Sequence, residues 1–472
     1  MSEETDVMIG LETHIQLDTD TKLLCGCPNK EAEEPNSHVC PTCLGHPGSK
    51  PRLNKAVLDK AVKTSLALGC EVNKDIFFSR KTYFYPDMSK NYQITQYEIP
   101  VGEKGELEVK IEDEKKQIGI TRLHIEEDPA KMKHVGGDIG NSKYTLVDYN
   151  RAGTPLLEIV TEPDFESPEE ARAYLQQLAQ IFEYLGLYSP DSDYAIKSDA
   201  NISIEGGEKV EVKNITGTSE VEKALSYEIS RQKQMTRRGR EIRQHTRSYN
   251  ADMASTKKMR DKETEEDYGY IFDPDLTRQE LDKEYREKIK SDIPELPHEK
   301  FERFQDEYGL TDKLVESLIT EPEMAEDFEA LAGKHGPELP ASWMTGELKK
   351  TLNYNETSYS ESDIQRGWLS ELFRLLEQDE ISDRNAEQVL REIVDDPRST
   401  EKIVQEKDLL KAEESEIDSI VIEVVEQNSD AVEDYRSGEE GAINFLVGQV
   451  MQKSQGKADP KTAREKITEE IE

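Results

Sequence analysis

The chain has 472 residues, with 61 Lys and Arg against 100 Asp and Glu for a formal charge of -39, and only 35% of its residues are hydrophobic. That length exceeds what one hydrophobic core usually supports, so about two to four domains are expected. The low apolar fraction borders on that of disordered chains, but 19 Tyr, 11 Phe and apolar positions spaced almost to the C-terminus argue against that class. What remains is a folded protein with an acidic skin that stays soluble at high salt, so a salt-adapted source is expected and a nucleic-acid partner is not excluded.

In chain order, "MSEETDVMIG" lacks a basic stretch followed by an apolar one, and no run approaches a membrane span, so a cytoplasmic protein with no membrane partner is expected. "DVMIGLETHIQL" reads as a strand, on which Glu12 and His14, two apart, leave the same face. The next stretch, "LLCGCPNKEAEEPNSHVCPTCLGHPG", holds four of the five cysteines as two close pairs, Cys25 with Cys27 and Cys40 with Cys43. Clustered cysteines in a reducing compartment read as metal ligands, and this spacing lets four thiolates converge on one zinc ion. The first pair is tighter than usual, so His38 or His46 could replace a thiolate. A closed site of that kind leaves no position for water and is expected to be a brace. Cys70 follows the helical pattern "NKAVLDKAVKTSLALG" and reads as buried packing.

"SRKTYFYPDMSKNYQITQYE" is too aromatic for a solvated loop and too polar for core. Its Lys81 and Lys90 suit a triphosphate, while Tyr83, Tyr85, Tyr92, Gln93 and Gln96 suit the orientation of a substrate, and Asp87 lies in the same span. "QIGITRLHIE" is a strand whose end carries Glu126, Glu127 and Asp128, an arrangement that fits magnesium, with a plain surface cluster as the alternative. Asp148, Asn150 and Arg151 precede the strand "TPLLEIVTE", and Asp199, Asn201 and Lys213 lie at later strand ends, again suited to nucleotide and metal. "SPEEARAYLQQLAQIFEYLG" opens with Ser167 as N-cap and Pro168 at the first helical position, which predicts a helix. "HVGGDIGNSK" only imitates a phosphate loop, and no G-x-S-x-G occurs, so no recognisable hydrolytic nucleophile is present.

Beyond Pro294 and Pro297 the pattern turns helical, with a softer break near residue 400. The expected architecture is α+β: a mixed α/β cradle over residues 1–293 with a zinc-braced hairpin, an all-helical domain over 294–400 and a small helical tail over 401–472. Two basic islands interrupt the acidic chain. Residues 231–262 hold eleven Lys or Arg against three acids, and residues 451–466 hold five against two, a footprint expected of phosphate contacts, with ordinary solvated helices as the alternative.

Taken together, "IGLETHIQL", "CPTCLGHPGSKPRLNKAV", "KTYFYPDMSKNYQITQYEIP", "GITRLHIEEDPAK", "DYNRAGTPLLEIVTEPD", "DANISI", "VEVKNI" and "FLVGQVMQKSQGKADPK" resemble, in order along the chain, the B subunit of aspartyl/glutamyl-tRNA amidotransferase. The resemblance implies that ATP phosphorylates the side-chain carboxylate of Asp or Glu on misacylated tRNA(Asn) or tRNA(Gln). Ammonia from an amidase (A) subunit, in a heterotrimer completed by a small C subunit, then displaces the phosphate. It further implies Glu12, His14 and Glu126 around magnesium, and Lys81, Lys90, Glu126 and Glu127 near the phosphate site. Tyr83, Tyr85, Asp87, Gln93, Asp148, Asn150, Arg151, Asp199, Asn201 and Lys213 would then contact ATP or substrate, and Lys453, Lys457, Lys461 and Arg464 the tRNA. Asp459 stands where that family usually has Asn. A non-catalytic tRNA-binding adaptor and an aminoacyl-tRNA synthetase are the competing readings.

Overall fold

The computed structural model describes residues 6–111, 114–136, 142–187, 196–261, 269–411, 414–439, 441–454 and 457–471. Residues 137–141 of the Gly-rich stretch and Lys262 of the first basic island lie outside them. The chain forms two compact units, Met1–Leu296 and Pro297–Glu472.

The first unit begins with β1 (Val7–Gln16), α1 (Lys55–Ala67), β2 (Glu71–Val72), β3 (Asp75–Ile76), β4 (Ser79–Thr82), β5 (Tyr92–Thr95), β6 (Gly102–Ile111) and β7 (Glu114–Glu127). It continues with β8 (Lys131–Val135), β9 (Tyr144–Asp148), β10 (Pro155–Thr161), α2 (Pro168–Tyr184), β11 (Lys197–Ile204), β12 (Val210–Thr216) and α3 (Thr218–Arg237). β13 (His245–Asn250), β14 (Ser255–Asp261), β15 (Gly269–Phe272), β16 (Gln279–Glu280) and α4 (Lys283–Ser291) complete it. Nine strands form one mixed sheet in the order β14-β13-β12-β11-β1-β10-β7-β6-β2. β12 and β13 are its parallel pair, joined through α3, because parallel neighbours need a crossover helix.

Alternation along the strands sets the two faces. In β1, Leu11, Thr13 and Ile15 are buried while Glu12, His14 and Gln16 take the opposite side. The apolar side joins α1, α2 and α3 in a single core that includes Val62, Leu178 and Leu225. α2 starts where Ser167 and Pro168 place it, with Glu170 N donating to Ser167 Oγ at 3.2 Å. Cys70 is buried and its thiol is pushed up to about 12 by that burial. A side chain on Gly105 would come within 2.4 Å of its sulfur, so the packing there requires glycine.

Pairing of β6 with β7 runs only to Leu123. Beyond it the exposed edge of β7 is closed by side chains: Ile125 N donates to Gln96 Oε1 at 2.9 Å, and Ile94 N donates to Glu127 Oε1 at 2.8 Å. Backbone groups that lose a strand partner this deep in a protein need such substitutes. β5 is thereby fastened to the acidic end of β7.

The second unit is helical. One core runs from Phe304 to Leu409 and includes Phe328, Phe373, Ile403 and Val404. A separate one joins the helices Glu414–Gln427, Ser429–Arg436, Gly441–Lys453 and Pro460–Ile471 through residues such as Val424, Leu446 and Ile467. The division between these cores follows Leu409, because Ile403, Val404 and Leu409 pack with the earlier helices. Among the described residues, no helix is long and apolar enough to cross a membrane.

Candidate active site and cysteine cluster

The polar face of the sheet carries the candidate site. β1, β10 and β7 are neighbours, and their register sets His14 opposite Glu158 and Glu158 opposite His124, in one row across three strands. His14 Nε2 lies 3.0 Å from Glu158 Oε2 and 3.5 Å from Glu126 Oε1, while His124 Nε2 lies 3.5 Å from Glu158. His14, Glu126 and Glu158 each offer a ligand atom within 4.8 Å of the others. Burial works against the His14 charge, but Glu158 and Glu126 outweigh it and raise its pKa to about 10. The two acids split. Burial and the neighbouring Glu158 push Glu126 up, whereas His124 and His14 overcome burial and hold Glu158 well below the ordinary carboxylate range.

Glu12, expected beside this group, lies outside it: its Oε1 accepts from Asn201 Nδ2 at 2.9 Å. Asp199 opposes Glu12, and a register shift between Ser198 and Ala200 turns it toward Lys213, which donates to it at 2.6 Å. Burial opposes the Lys213 charge, yet Asp199 and Glu211 raise its pKa. Glu12, Asn201, Asp199 and Lys213 thus form a linked polar row beside the histidine cluster. Glu158 and His124 were missed in the sequence. Their signal was an acid and an imidazole placed between β-branched and leucine residues, in "LLEIV" and "RLHIE", where period-2 alternation sends them to the polar face.

Glu126 and Glu127 point to opposite faces. Glu127 forms a nearly buried ion pair with Lys90, and Gln93 Nε2 donates to its backbone carbonyl at 2.7 Å. Lys81 pairs with Gln93 across β4 and β5, and its charge stabilises the ionised form of Glu126. Behind Lys90 sits the cysteine loop. The four thiols of Cys25, Cys27, Cys40 and Cys43 converge within 4.8 Å, with no disulfide and without His38 or His46. Cys43 Sγ accepts from Cys40 N at 3.1 Å. The Cys25 thiol, then that backbone N–H and the Lys22 ammonium, lower the Cys43 pKa to about 5 against burial. Four sulfurs gathered this closely, one of them held towards the thiolate, fit a structural zinc ion.

The loop touches the segment that carries Lys90 directly. Ser89 Oγ donates to Cys43 O at 2.9 Å, and a side chain on Gly45, at φ +68°, would collide with Lys90 Cγ at 2.4 Å. A cavity of about 80 Å³ separates Cys25 and Cys43 from Lys90 and Glu127. Lys22, fully buried, ties the loop down: its ammonium donates to the carbonyls of His38 (2.8 Å), Ala152 (2.8 Å) and Tyr149 (3.3 Å). Asp148 and Asn150 belong to this brace as well, since Asp148 Oδ1 accepts from Asn36 N at 2.9 Å and Asn150 Oδ1 from His38 N at 2.7 Å. Arg151 reaches the carbonyls of Pro129 and Ala130 at 3.0 and 2.9 Å. Tyr83 is half-buried, Tyr85 is exposed and Asp87 is buried.

The basic islands divide similarly. In the first, Arg231 and Arg247 serve the fully buried Glu228, at 2.5 and 3.3 Å, whereas Arg237, Arg238, Arg240, Lys257 and Lys258 are exposed. In the tail, Lys453 pairs with Glu423 at 2.6 Å, Lys457 with Asp408, and Arg464 donates to Asn444. Lys461 and Arg464 share an exposed face of the last helix. Asp459 caps that helix, accepting from Thr462 N at 2.8 Å, a role that Asn fills equally well.

A family model described as the GatB/GatE catalytic domain matches residues 7–287, and one described as the GatB domain matches residues 326–471. The B subunit of the aspartyl/glutamyl-tRNA(Asn/Gln) amidotransferase of Natronomonas pharaonis is 43% identical over 98% of this chain and 97% of its own length. Proteins of the same description from Methanosarcina acetivorans and Carboxydothermus hydrogenoformans are 42% and 40% identical, over 98% and 99% of this chain and 98% and 99% of their own lengths. With both units matched and relatives aligned end to end, the chain belongs to the GatB family, the B subunits of aspartyl/glutamyl-tRNA(Asn/Gln) amidotransferases.

Proposed function

We propose that the polar face of the first unit uses ATP to phosphorylate the side-chain carboxylate of Asp or Glu on misacylated tRNA, and that ammonia then displaces the phosphate there. Family membership makes the chain a subunit of a tRNA-dependent amidotransferase, a ligase that forms Asn-tRNA and Gln-tRNA. The observation that carries the residue assignment is the convergence of His14, Glu126 and Glu158 from three strands onto one point.

A carboxylate is a poor electrophile, and an acyl phosphate supplies the leaving group that neutral ammonia can displace. Phosphoryl transfer needs positioning and charge neutralisation more than a covalent nucleophile. His14, Glu126 and Glu158 are the residues to hold magnesium, whose bound charge would offset that of the triphosphate. Lys81 supplies a cation near Glu126, and Glu12, Asp199, Asn201 and Lys213 order the adjoining row. Lys90, Glu127 and Gln93 form a rigid wall on the opposite side of β7, and the four thiolates, with zinc, hold that wall in place.

On this reading residues 1–293 are the catalytic cradle, 294–400 a helical domain and 401–472 a tRNA-binding tail that uses Lys453, Lys457, Lys461 and Arg464. Ammonia arrives from an amidase subunit in a complex completed by a small third subunit, in the cytoplasm, and the acidic surface suits a high-salt setting. Transamidation by the reconstituted complex, given ATP, magnesium, glutamine and each misacylated tRNA in turn, tests the assignment. Amide formation without ATP consumption would refute it.

A further inference from the structure

One carboxylate near the acid face keeps an oxygen without a hydrogen bond, although the Arg151 charge favours its ionised form. Asp87 sits in the turn between Tyr83 and Lys90, is 9% exposed, and its Oδ1 makes no hydrogen bond among the described residues. A buried charge of this kind is costly unless something compensates it. Its position is fixed by the backbone, since Ala130 N donates to Asp87 O at 3.1 Å. Arg151 closes the same corner: its Nη2 donates to Ala130 O at 2.9 Å and its Nε lies 3.4 Å from Asp128 Oδ2. Asp128 continues the alternation of His124 and Glu126 past the end of β7, on the side of the acid face.

We propose that Asp87 and Asp128 receive the α-ammonium group of the aminoacyl ester, orienting the substrate so that its side-chain carboxylate meets the group formed by His14, Glu126 and Glu158. The proposal rests on the transamidase reading above. Both substrates that reading requires carry a free primary ammonium close to the reacting carboxylate, and an ammonium offers three donors that need acceptors. A divalent ion suits the corner less well. Among the described residues only the four cysteines and the His14 group bring three or more metal-binding side chains within reach of one ion.

The test uses the full chain assembled with its amidase and small subunits, and compares misacylated tRNA with the same tRNA N-acetylated on its amino acid, which abolishes the ammonium. Affinity is measured without ATP, so that ammonium recognition is read even where chemistry fails. The wild-type complex is expected to bind the acetylated form at least tenfold more weakly. Asp87→Asn should weaken binding of the free-amine form about tenfold and bring the ratio of the two close to one. Asp128→Asn should shift it in the same direction, with the KM for ATP unchanged. Melting of Asp87→Asn should change little, because Oδ1 has no hydrogen bond to lose and the burial cost of the charge offsets its attraction to Arg151. A full acetylation penalty in both variants, or none in the wild type, overturns the proposal. So does a variant that instead weakens the magnesium requirement, which would assign the corner to a metal. Absence of transamidation by the wild-type complex, with the affinity ratio intact, refutes the broader reading and leaves ammonium recognition standing.

Discussion

Glu126 and Glu127 are consecutive in the chain, yet one stands with His14 and Glu158 on the polar face of the sheet while the other pairs with Lys90 against the cysteine loop. Their amides should therefore behave differently. Glu126→Gln is expected to slow phosphate release from ATP in the presence of misacylated tRNA by about 10², the effect of losing one preorganised contact of roughly 3 kcal/mol, with tRNA affinity unchanged. Glu127→Gln leaves Lys90 buried without its counter-charge and should cost about 3–5 kcal/mol of stability. Single-turnover kinetics beside urea unfolding of both variants separates the two, and equal rate losses with equal stabilities would contradict the assignment.

The cysteine cluster should carry one zinc per chain. Cys40→Ser, or chelation, is expected to lower the melting temperature first and the rate second, because Gly45 and Ser89 connect the loop to Lys90 and Cys43. Elemental analysis and calorimetry decide this. Metal-free protein with unchanged melting would remove the zinc from the account.

Lys22 is a stability residue. Lys22→Met removes one ammonium and strands three carbonyls in the interior, so a loss of roughly 3 kcal/mol is expected from unsatisfied acceptors. Denaturant unfolding measures it, and a neutral substitution would mean that water reaches those groups.

For His14 the sign follows from a folded pKa of about 10 against an unfolded value near 6.5. Its protonated form stabilises the metal-free fold fully below about pH 6.5, and that contribution is lost as the pH rises through about 10. The groups that face it are Glu126, Glu158 and Asp199. In magnesium-free buffer the stability gap between wild type and His14→Asn should be constant at acid to neutral pH and shrink across that window. A gap that widens with pH would reverse the assignment.

Truncation after Lys411 removes the second helical core and Lys453, Lys457, Lys461 and Arg464, but keeps Ile403, Val404 and Leu409 with the first. The shortened chain should stay folded and bind tRNA more weakly at one fixed salt concentration. Unchanged affinity would move tRNA recognition to other surfaces, of which the exposed arginines at 237, 238 and 240 are the first to test.

By itself the sequence determined what short-range rules control. Alternation identified β1, β7 and β10, the Ser167-Pro168 pair marked the start of α2, and two cysteine pairs announced a four-thiol cluster. The placement of His14 and Glu126 on the polar face was legible because strand period fixes the face of each side chain. Tertiary structure decided which strands are neighbours. β1 lies between β10 and β11, so Glu158, from a strand more than a hundred residues away, joins His14, while Glu12 turns to Asn201. Register is a property of the assembled sheet, and no local pattern states it. The same holds for Asp148 and Asn150, whose polar side chains suggested a ligand site but bind the backbone of a distant loop, and for Lys22, which no local pattern singles out. A buried polar group takes whatever partner the fold brings within reach, and only the folded chain says which one that is.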